Sequence, residues 1–120
     1  MKKLKSVIGP PIAETAPAFI CVLAQRIKAH RDKCYAVQDY SEAIDNMLLA
    51  MEALGYRSCW YEGRIIDEDR ICDKLSAILQ VPKEYEMVCV LPVGKPLPEG
   101  AHPKKETFEE RAWFNRFGEQ

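Results

Sequence analysis

The chain has 120 residues, of which 48% are hydrophobic and 29% are charged, so its size and balance suit one domain with a modest core. Its 17 lysines and arginines nearly balance its 18 aspartates and glutamates, which argues against nucleic acid or an anionic membrane surface as a partner. No apolar run in the sequence is long enough to span a bilayer. The basic residues at positions 1–5 lead into Gly9, Pro10 and Pro11 rather than into the apolar region of a signal peptide.

The cysteines and histidines bear on the redox compartment and on metal binding. None of the five cysteines forms a C-x-x-C pair, and three of them lie in apolar runs, where free cysteine behaves as a small hydrophobe. We therefore expect Cys21, Cys59 and Cys89 to be reduced and buried, in a cytoplasmic protein. His30 and His102 are far apart and have no ligand at metal-binding spacing, so we expect no metal site.

The first third of the chain carries two predicted elements. Residues 1–11 are basic and end in a Gly-Pro-Pro sequence, so we expect them to form no core element of their own. The run AFICVLA at residues 18–24 is continuously apolar, which is typical of a strand covered on both faces, and it predicts a central strand.

A long helix is predicted over residues 33–54. Its apolar side chains recur at alternating steps of three and four, and Gly55 provides the residue that ends it. Two interpretations are open. The apolar stripe packs on the sheet of the same chain, or it also packs on a second copy of the helix, and the width added by Leu48 and Leu49 allows both.

The following residues predict a short strand, a helix and a second central strand. The strand is expected at residues 58–61 and the helix at 67–79, with Asp67 as its N-cap and a hydrophobic contact between Ile66 and Ile71. The apolar run EMVCVLPVG at residues 86–94 is the clearest strand in the chain.

The C-terminal region combines a proline-rich connector with an aromatic segment. Four glycines and prolines at residues 95–105 predict an extended connector. Thr107 and Glu110 have the spacing of a capping box, which predicts a last helix with three large aromatic side chains on one side, namely Phe108, Trp113 and Phe117.

Two short motifs are candidate binding residues. Trp60, Tyr61, Glu62 and Gly63 stand at the end of a predicted strand, where a glycine lets backbone amides approach a flat ligand closely. Lys104 and Lys105 follow the connector and could neutralise a phosphate. The alternative is an ordinary turn and a solvated pair of charges. A glycine-rich phosphate loop is absent from the sequence.

The order of these features resembles the C-terminal part of FMN-dependent nitroreductase-family proteins. The resemblance runs from about Thr15 onward and rests on the helix NMLLAMEALGYRSCWYEG, a helix ending LQVP, the strand YEMVCVLPVGKP and the terminal FEERAWFNRF. It implies an α+β sandwich, an intertwined homodimer with FMN at its interface, and hydride transfer from NAD(P)H to a small-molecule acceptor such as a nitro compound or a quinone.

The resemblance also assigns the candidate residues. It implies that Tyr61, Glu62 and Gly63 lie against the isoalloxazine ring with backbone amides directed at its N5/O4 edge, where donors stabilise the charge that develops on reduction. Trp60 belongs to the same candidate set. Lys104 and Lys105 match the region that helps to hold the FMN phosphate, and no side chain is assigned as a catalytic acid or base.

One departure from the family pattern leaves two further interpretations open. Family members carry an N-terminal arginine-rich R-R-S-x-R-like motif that grips the phosphate, and this chain has no such motif, so we expect residues 1–120 to form one partial domain. The alternative function is a truncated, non-catalytic dimerisation module. A third interpretation is a thiol redox protein centred on Cys34, beside Arg31 and Lys33.

Overall fold

The computed structural model describes residues 1–62, 70–98 and 103–119. A short 3-10 helix lies at His30–Asp32. The α-helices within the described residues are α1 (Lys2–Ile8), α2 (Ile12–Thr15), α3 (Ala36–Ala53), α4 (Ile71–Leu79) and α5 (Phe108–Arg111), and the strands there are β1 (Ala18–Ala24), β2 (Tyr61–Glu62) and β3 (Glu86–Val93).

The three strands form one antiparallel sheet in the order β1-β3-β2. The prediction of β3 as a central strand is confirmed, because β3 pairs on both sides and its six inner residues are all buried. The prediction that β1 is central is wrong for the described sheet. β1 pairs with β3 alone, and its Ile20 and Leu23 are 38% and 42% exposed. The continuous apolar run of β1 therefore does not mean that both faces of this strand are covered.

A register shift in β3 decides which of its side chains face each layer. Val22 of β1 pairs with Cys89 and Leu23 pairs with Met87, so Val88 is an extra residue in the β3 strand. Such a bulge reverses the alternation of side chains beyond it. It allows Met87 and Val90, three residues apart, to join the same core cluster.

Helices cover both faces of the sheet and create two core clusters. On one face, α1, α2 and α4 pack on β3 through Ile8, Ala13, Leu75 and Met87, among others. On the other face, α3 packs through Ile44 and Met51 on Val88, Cys89 and Leu91. The expectation that residues 1–11 lack a core element is wrong, because α1 places Leu4, Val7 and Ile8 in the first cluster. The α+β sandwich is confirmed.

The long helix α3 agrees with its prediction in its main part. It begins at Ala36 rather than at residue 33, because Arg31 and Asp32 have φ values of 55° and 59° and break the helical path. Gly55, with φ 76°, ends it. The N–H of Gly55 bonds the carbonyl of Glu52 at 3.0 Å and that of Tyr56 bonds Met51 at 2.9 Å, a Schellman motif.

Helix α4 begins at Ile71, and the predicted cap at Asp67 and contact of Ile66 lie outside the described residues. Its C-terminal end repeats the motif of α3. The N–H of Val81 bonds the carbonyl of Ser76 at 3.0 Å, and Gln80 takes the left-handed conformation with φ 55°. A residue with a side chain thus occupies a position that favours glycine.

The cysteine predictions are confirmed in part. None of the five cysteines, all of which lie in the described part of the chain, forms a disulfide, and Cys89 is buried as expected. Cys21 is only half-buried, and burial raises the pKa of its thiol. The expectation for Cys59 is wrong, because its side chain packs in neither core cluster and is exposed.

The last helix is shorter than its pattern predicted. The capping box is confirmed, with the N–H of Thr107 donating to Glu110 Oε2 at 2.8 Å. The helix ends at Arg111, since Ala112 is extended, so Trp113 and Phe117 lie beyond it and contact each other at 4.2 Å between ring centroids. None of the described helices combines the length and the apolar content that crossing a membrane requires.

We predict that Gln80→Gly raises the free energy of unfolding by about 1 kcal/mol, because glycine removes the clash of the left-handed conformation at the end of α4. Urea unfolding would measure the change. Gly55→Ala is the matched control at the end of α3 and should lower stability by a similar amount. A destabilised Gln80→Gly variant would contradict this assignment of strain.

Candidate functional site

The segment that carries the candidate motif runs beside β3 in one constant register. Arg57 and Gly94 exchange both backbone hydrogen bonds, at 2.8 and 3.0 Å. Tyr61 then pairs with Val90, and Glu62 with Cys89. The strand predicted at residues 58–61 is thus observed as β2, which begins three residues later and is two residues long.

The register fixes which backbone groups face outward. In an antiparallel pair, residues that exchange both hydrogen bonds alternate with residues that exchange none. Since Arg57 bonds with Gly94, Tyr61 is in the bonded phase and Glu62 is in the other. The N–H and C=O of Glu62 therefore point away from β3, and no further strand pairs with this edge in the part of the chain that the structure describes.

The ring of Tyr61 belongs to the core. It packs against the cluster of α1, α4 and β3, and its hydroxyl donates to the carbonyl of Ile8 at 3.4 Å. This contact joins β2 to the N-terminal helix. The tyrosine side chain thus holds the position of β2, and the outward-facing backbone groups of Glu62 are the ones left for a ligand.

Trp60 lies on the other face of the segment. Its ring meets the ring of Tyr40 edge-on, with centroids 6.5 Å apart, and Tyr40 in turn packs on the α3 cluster. Trp60 remains 37% exposed. The aromatic pair of the sequence is therefore explained structurally, since one ring anchors the segment to each helical layer.

The remaining candidates are placed only in part. The backbone of Glu62 belongs to β2, whereas Gly63 lies outside the described residues. Lys104 and Lys105 are exposed and border a concavity of about 560 Å³ together with Glu106, Thr107 and Glu110. All of these residues belong to one continuous segment, and neither Trp60 nor Tyr61 borders that concavity.

Two other observations bear on the chemistry of the site. Within residues 1–62, 70–98 and 103–119, no three histidine, cysteine, aspartate or glutamate side chains are grouped so that they could hold a metal ion. A cleft of about 540 Å³ lies at the Arg57 end of the segment. Sequence reasoning did not find this cleft. The available signal in the sequence was a cation directly beside each of two predicted strands. Arg57 precedes the strand predicted at residues 58–61, and Lys95 follows the strand predicted at residues 86–94.

We predict that Tyr61→Ala lowers the free energy of unfolding by about 3 kcal/mol, because it removes a ring from the core. Tyr61→Phe should cost less than about 1 kcal/mol, since only one long hydrogen bond is lost. Trp60→Ala, the control on the exposed side, should cost about 1 kcal/mol. Urea unfolding measures all three. If Tyr61→Ala were as stable as the unmutated chain, the structural role of this ring would be refuted.

Comparisons with known proteins agree with this architecture. The sequence model of the nitroreductase family matches residues 4–95. No curated protein matched the chain in a sequence comparison.

Several solved structures share the fold. An FMN-dependent nitroreductase from Clostridium difficile superposes with a TM-score of 0.72 at 23% identity, over 96% of this chain and 68% of that one. A protein from Bacteroides thetaiotaomicron assigned as an NADH dehydrogenase/NAD(P)H nitroreductase superposes with a TM-score of 0.72 at 27% identity, over 97% of this chain and 67% of that one. A nitroreductase from B. subtilis superposes with a TM-score of 0.67 at 19% identity, over 97% of this chain and 53% of that one. The family match covers most of the sequence, and the chain belongs to the nitroreductase family.

Proposed function

We propose that the chain is an FMN-dependent oxidoreductase that moves a hydride from NAD(P)H to an electron-poor small-molecule acceptor, such as a nitro compound or a quinone. Family membership supports the reaction class. The proposed cofactors take support from two structural relatives, one described as FMN-dependent and the other as an NAD(P)H nitroreductase. The observation that carries the proposal is the outward-facing backbone of Glu62 at the free edge of β2.

The residues at this edge fit a flavin ring. Bound FMN would supply the redox chemistry by accepting a hydride from the nicotinamide and giving it to the acceptor. The amide of Glu62 would donate toward the N5/O4 edge of the ring, where negative charge develops on reduction. Such a donor is effective when it is already held in place. The contacts of Tyr61 with Ile8 and of Trp60 with Tyr40 hold this backbone from both faces.

The lysines beyond the connector are proposed to hold the FMN phosphate. Lys104 and Lys105 are exposed, and each ammonium group can pair with phosphate oxygens as a mobile point charge. The neighbouring carboxylate of Glu110 accepts a hydrogen bond from the Thr107 N–H. Glu106 also borders the concavity, so the proposed phosphate contact rests on the two ammonium groups and not on the net charge of the lining.

We further propose that the protein acts as a cytoplasmic homodimer. The radius of gyration is 17.6 Å, compared with roughly 14 Å for a compact domain of this length. Apolar side chains are exposed at Leu49 of α3, at Leu54 just after this helix, and in the terminal segment, where Phe114 and Phe117 are 62% and 86% exposed. Exposed apolar groups of this size favour association with a second copy. Five described cysteines that form no disulfide are compatible with a reducing compartment.

Flavin binding is the primary test. The purified protein is expected to bind FMN and to oxidise NAD(P)H in the presence of a quinone, as followed by flavin fluorescence and nicotinamide absorbance. Gly63→Val should weaken FMN binding more than Glu62→Gln, because a β-branched side chain blocks close approach whereas the amide leaves the main chain unchanged. No flavin binding by the unmutated chain would refute the proposal and favour the non-catalytic dimerisation module.

The proposed contact of the two lysines with the FMN phosphate can be tested separately from the contact of the Glu62 backbone with the flavin ring. Replacing both Lys104 and Lys105 by glutamine should weaken binding of FMN by about tenfold or more and leave riboflavin binding nearly unchanged, since only FMN carries the phosphate. Equal losses for the two flavins would exclude the phosphate assignment.

Sedimentation tests the homodimer. We expect a dimer at micromolar concentration, and we expect Phe114→Glu with Phe117→Glu to shift it toward monomer because a charged group opposes burial of the interface. The double variant Glu109→Gln with Lys83→Gln alters two exposed polar sites and is the control. A folded monomer of the unmutated chain would contradict the proposal.

A further inference from the structure

The cleft at the Arg57 end of the candidate segment is a built concavity of about 540 Å³. Its wall is helix α2 with the residue that follows, where Ile12 and Ala16 are apolar. Pro92 and Leu97, at the end of β3 and just beyond it, add further apolar surface. The volume lies in the range of sites that take small organic ligands, which are commonly apolar with a few polar groups.

The floor of the cleft follows from the register of the sheet. Arg57 pairs with Gly94, and the same register brings Cys59 opposite Pro92. These residues share the phase of Tyr61, so their side chains lie on the face of α1 and α2. The intervening Ser58 also borders the cleft, but the alternation directs its side chain toward α3.

The charge of the cleft has one sign. Among the described residues that border it, Arg57 and Lys95 are cationic and none is acidic. Arg57 is held by an ion pair with Glu52, and Lys95 Nζ lies 4.2 Å from the centre of the Tyr56 ring. A guanidinium has five donors, so pairing with Glu52 leaves others for a ligand. An apolar wall beside two positioned cations is complementary to an amphipathic anion.

We propose that this cleft binds a small aromatic or aliphatic carboxylate, with the apolar body against α2 and Pro92 and the carboxylate paired with Arg57 and Lys95. The site is separate from the edge at Glu62. Five residues of extended chain separate Arg57 from Glu62, a distance of about 16 Å. The proposal does not depend on flavin binding.

Cysteine labelling tests it, because Cys59 borders the cleft and Cys34 is exposed elsewhere. The probe is 2-naphthoate, and the neutral control is 2-naphthamide. At a naphthoate concentration ten times its Kd, alkylation of Cys59 by iodoacetamide should slow about tenfold, because only about one molecule in ten keeps an open cleft. Alkylation of Cys34 should be unchanged. Peptide mass spectrometry reads both thiols in the same sample.

Substitutions at the cleft distinguish recognition of the carboxylate charge from the space that the ligand occupies. Arg57→Gln and Lys95→Gln should each weaken naphthoate binding by about tenfold, because each removes a charge-assisted contact. Lys83→Gln, which removes a positive charge from an exposed site that does not border the cleft, is the matched control and should leave binding unchanged. Gly94→Leu should block the cleft. A Cβ at Gly94 would lie 3.9 Å from Pro17 Cδ, an ordinary contact distance, so the added side chain has room there and would occupy the cleft.

Three outcomes would overturn the proposal. The first is an unchanged rate at Cys59 with naphthoate in the millimolar range. The second is equal protection by naphthamide, which would exclude recognition of the anion. The third is protection of Cys59 by FMN together with displacement of naphthoate, which would assign the cleft to the flavin. Absence of flavin binding, by contrast, would refute the proposed function and leave this test unaffected.

Discussion

The burial of β3 between two helical layers is the constraint on which the rest of the structure depends. Met87 and Leu91, like the residues between them, are almost fully buried, and they pack on α1 and α4 on one face and on α3 on the other. A strand without a solvent face can satisfy its backbone groups only by pairing along both edges. Both neighbours, β1 and β2, meet this requirement, and their positions follow from it. The bulge at Val88 matters for the same reason, because it sends consecutive side chains to the layer that has room for them.

The position of β2 beside β3 gives the candidate site its geometry. One edge of β2 is used by β3, so alternate backbone groups, including those of Glu62, must face the other way. Two aromatic contacts keep this arrangement rigid, because Tyr61 reaches α1 and Trp60 reaches Tyr40 of α3. A backbone donor at a fixed edge can contribute to catalysis without a catalytic side chain. This arrangement explains why an aromatic pair precedes the Glu-Gly dipeptide.

Features set by local patterns could be predicted from the sequence, and features set by packing partners could not. The apolar run of β3, the stripe of α3 with Gly55 at its end, and the capping box of Thr107 each depend on a few neighbouring residues. Whether β1 lies at the centre or at an edge depends on which strands pair with it, and an apolar run alone does not contain that information. The N-terminal helix was missed for a similar reason, since Ile8 is stabilised by contacts with distant α4. Among the site residues, the sequence identified the segment at Trp60 and Tyr61 but did not show that the Tyr61 ring packs in the core or that Trp60 contacts Tyr40.

Because the candidate segment stays in one register from Arg57 to Glu62, its two ends present different chemistry to different surroundings. At Glu62 the backbone donor and acceptor face away from β3, toward an edge that pairs with no further strand in the described part of the chain. At Arg57 both backbone groups are bonded to Gly94, so the polar group on offer there is the side chain, which borders a cationic cleft beside α2. A backbone edge suits a flat heterocycle whose ring atoms accept hydrogen bonds, whereas cations beside an apolar wall suit an amphipathic acid. The same strand pairing therefore positions both proposed sites, and a substitution that shifted the register by one residue would alter both at once.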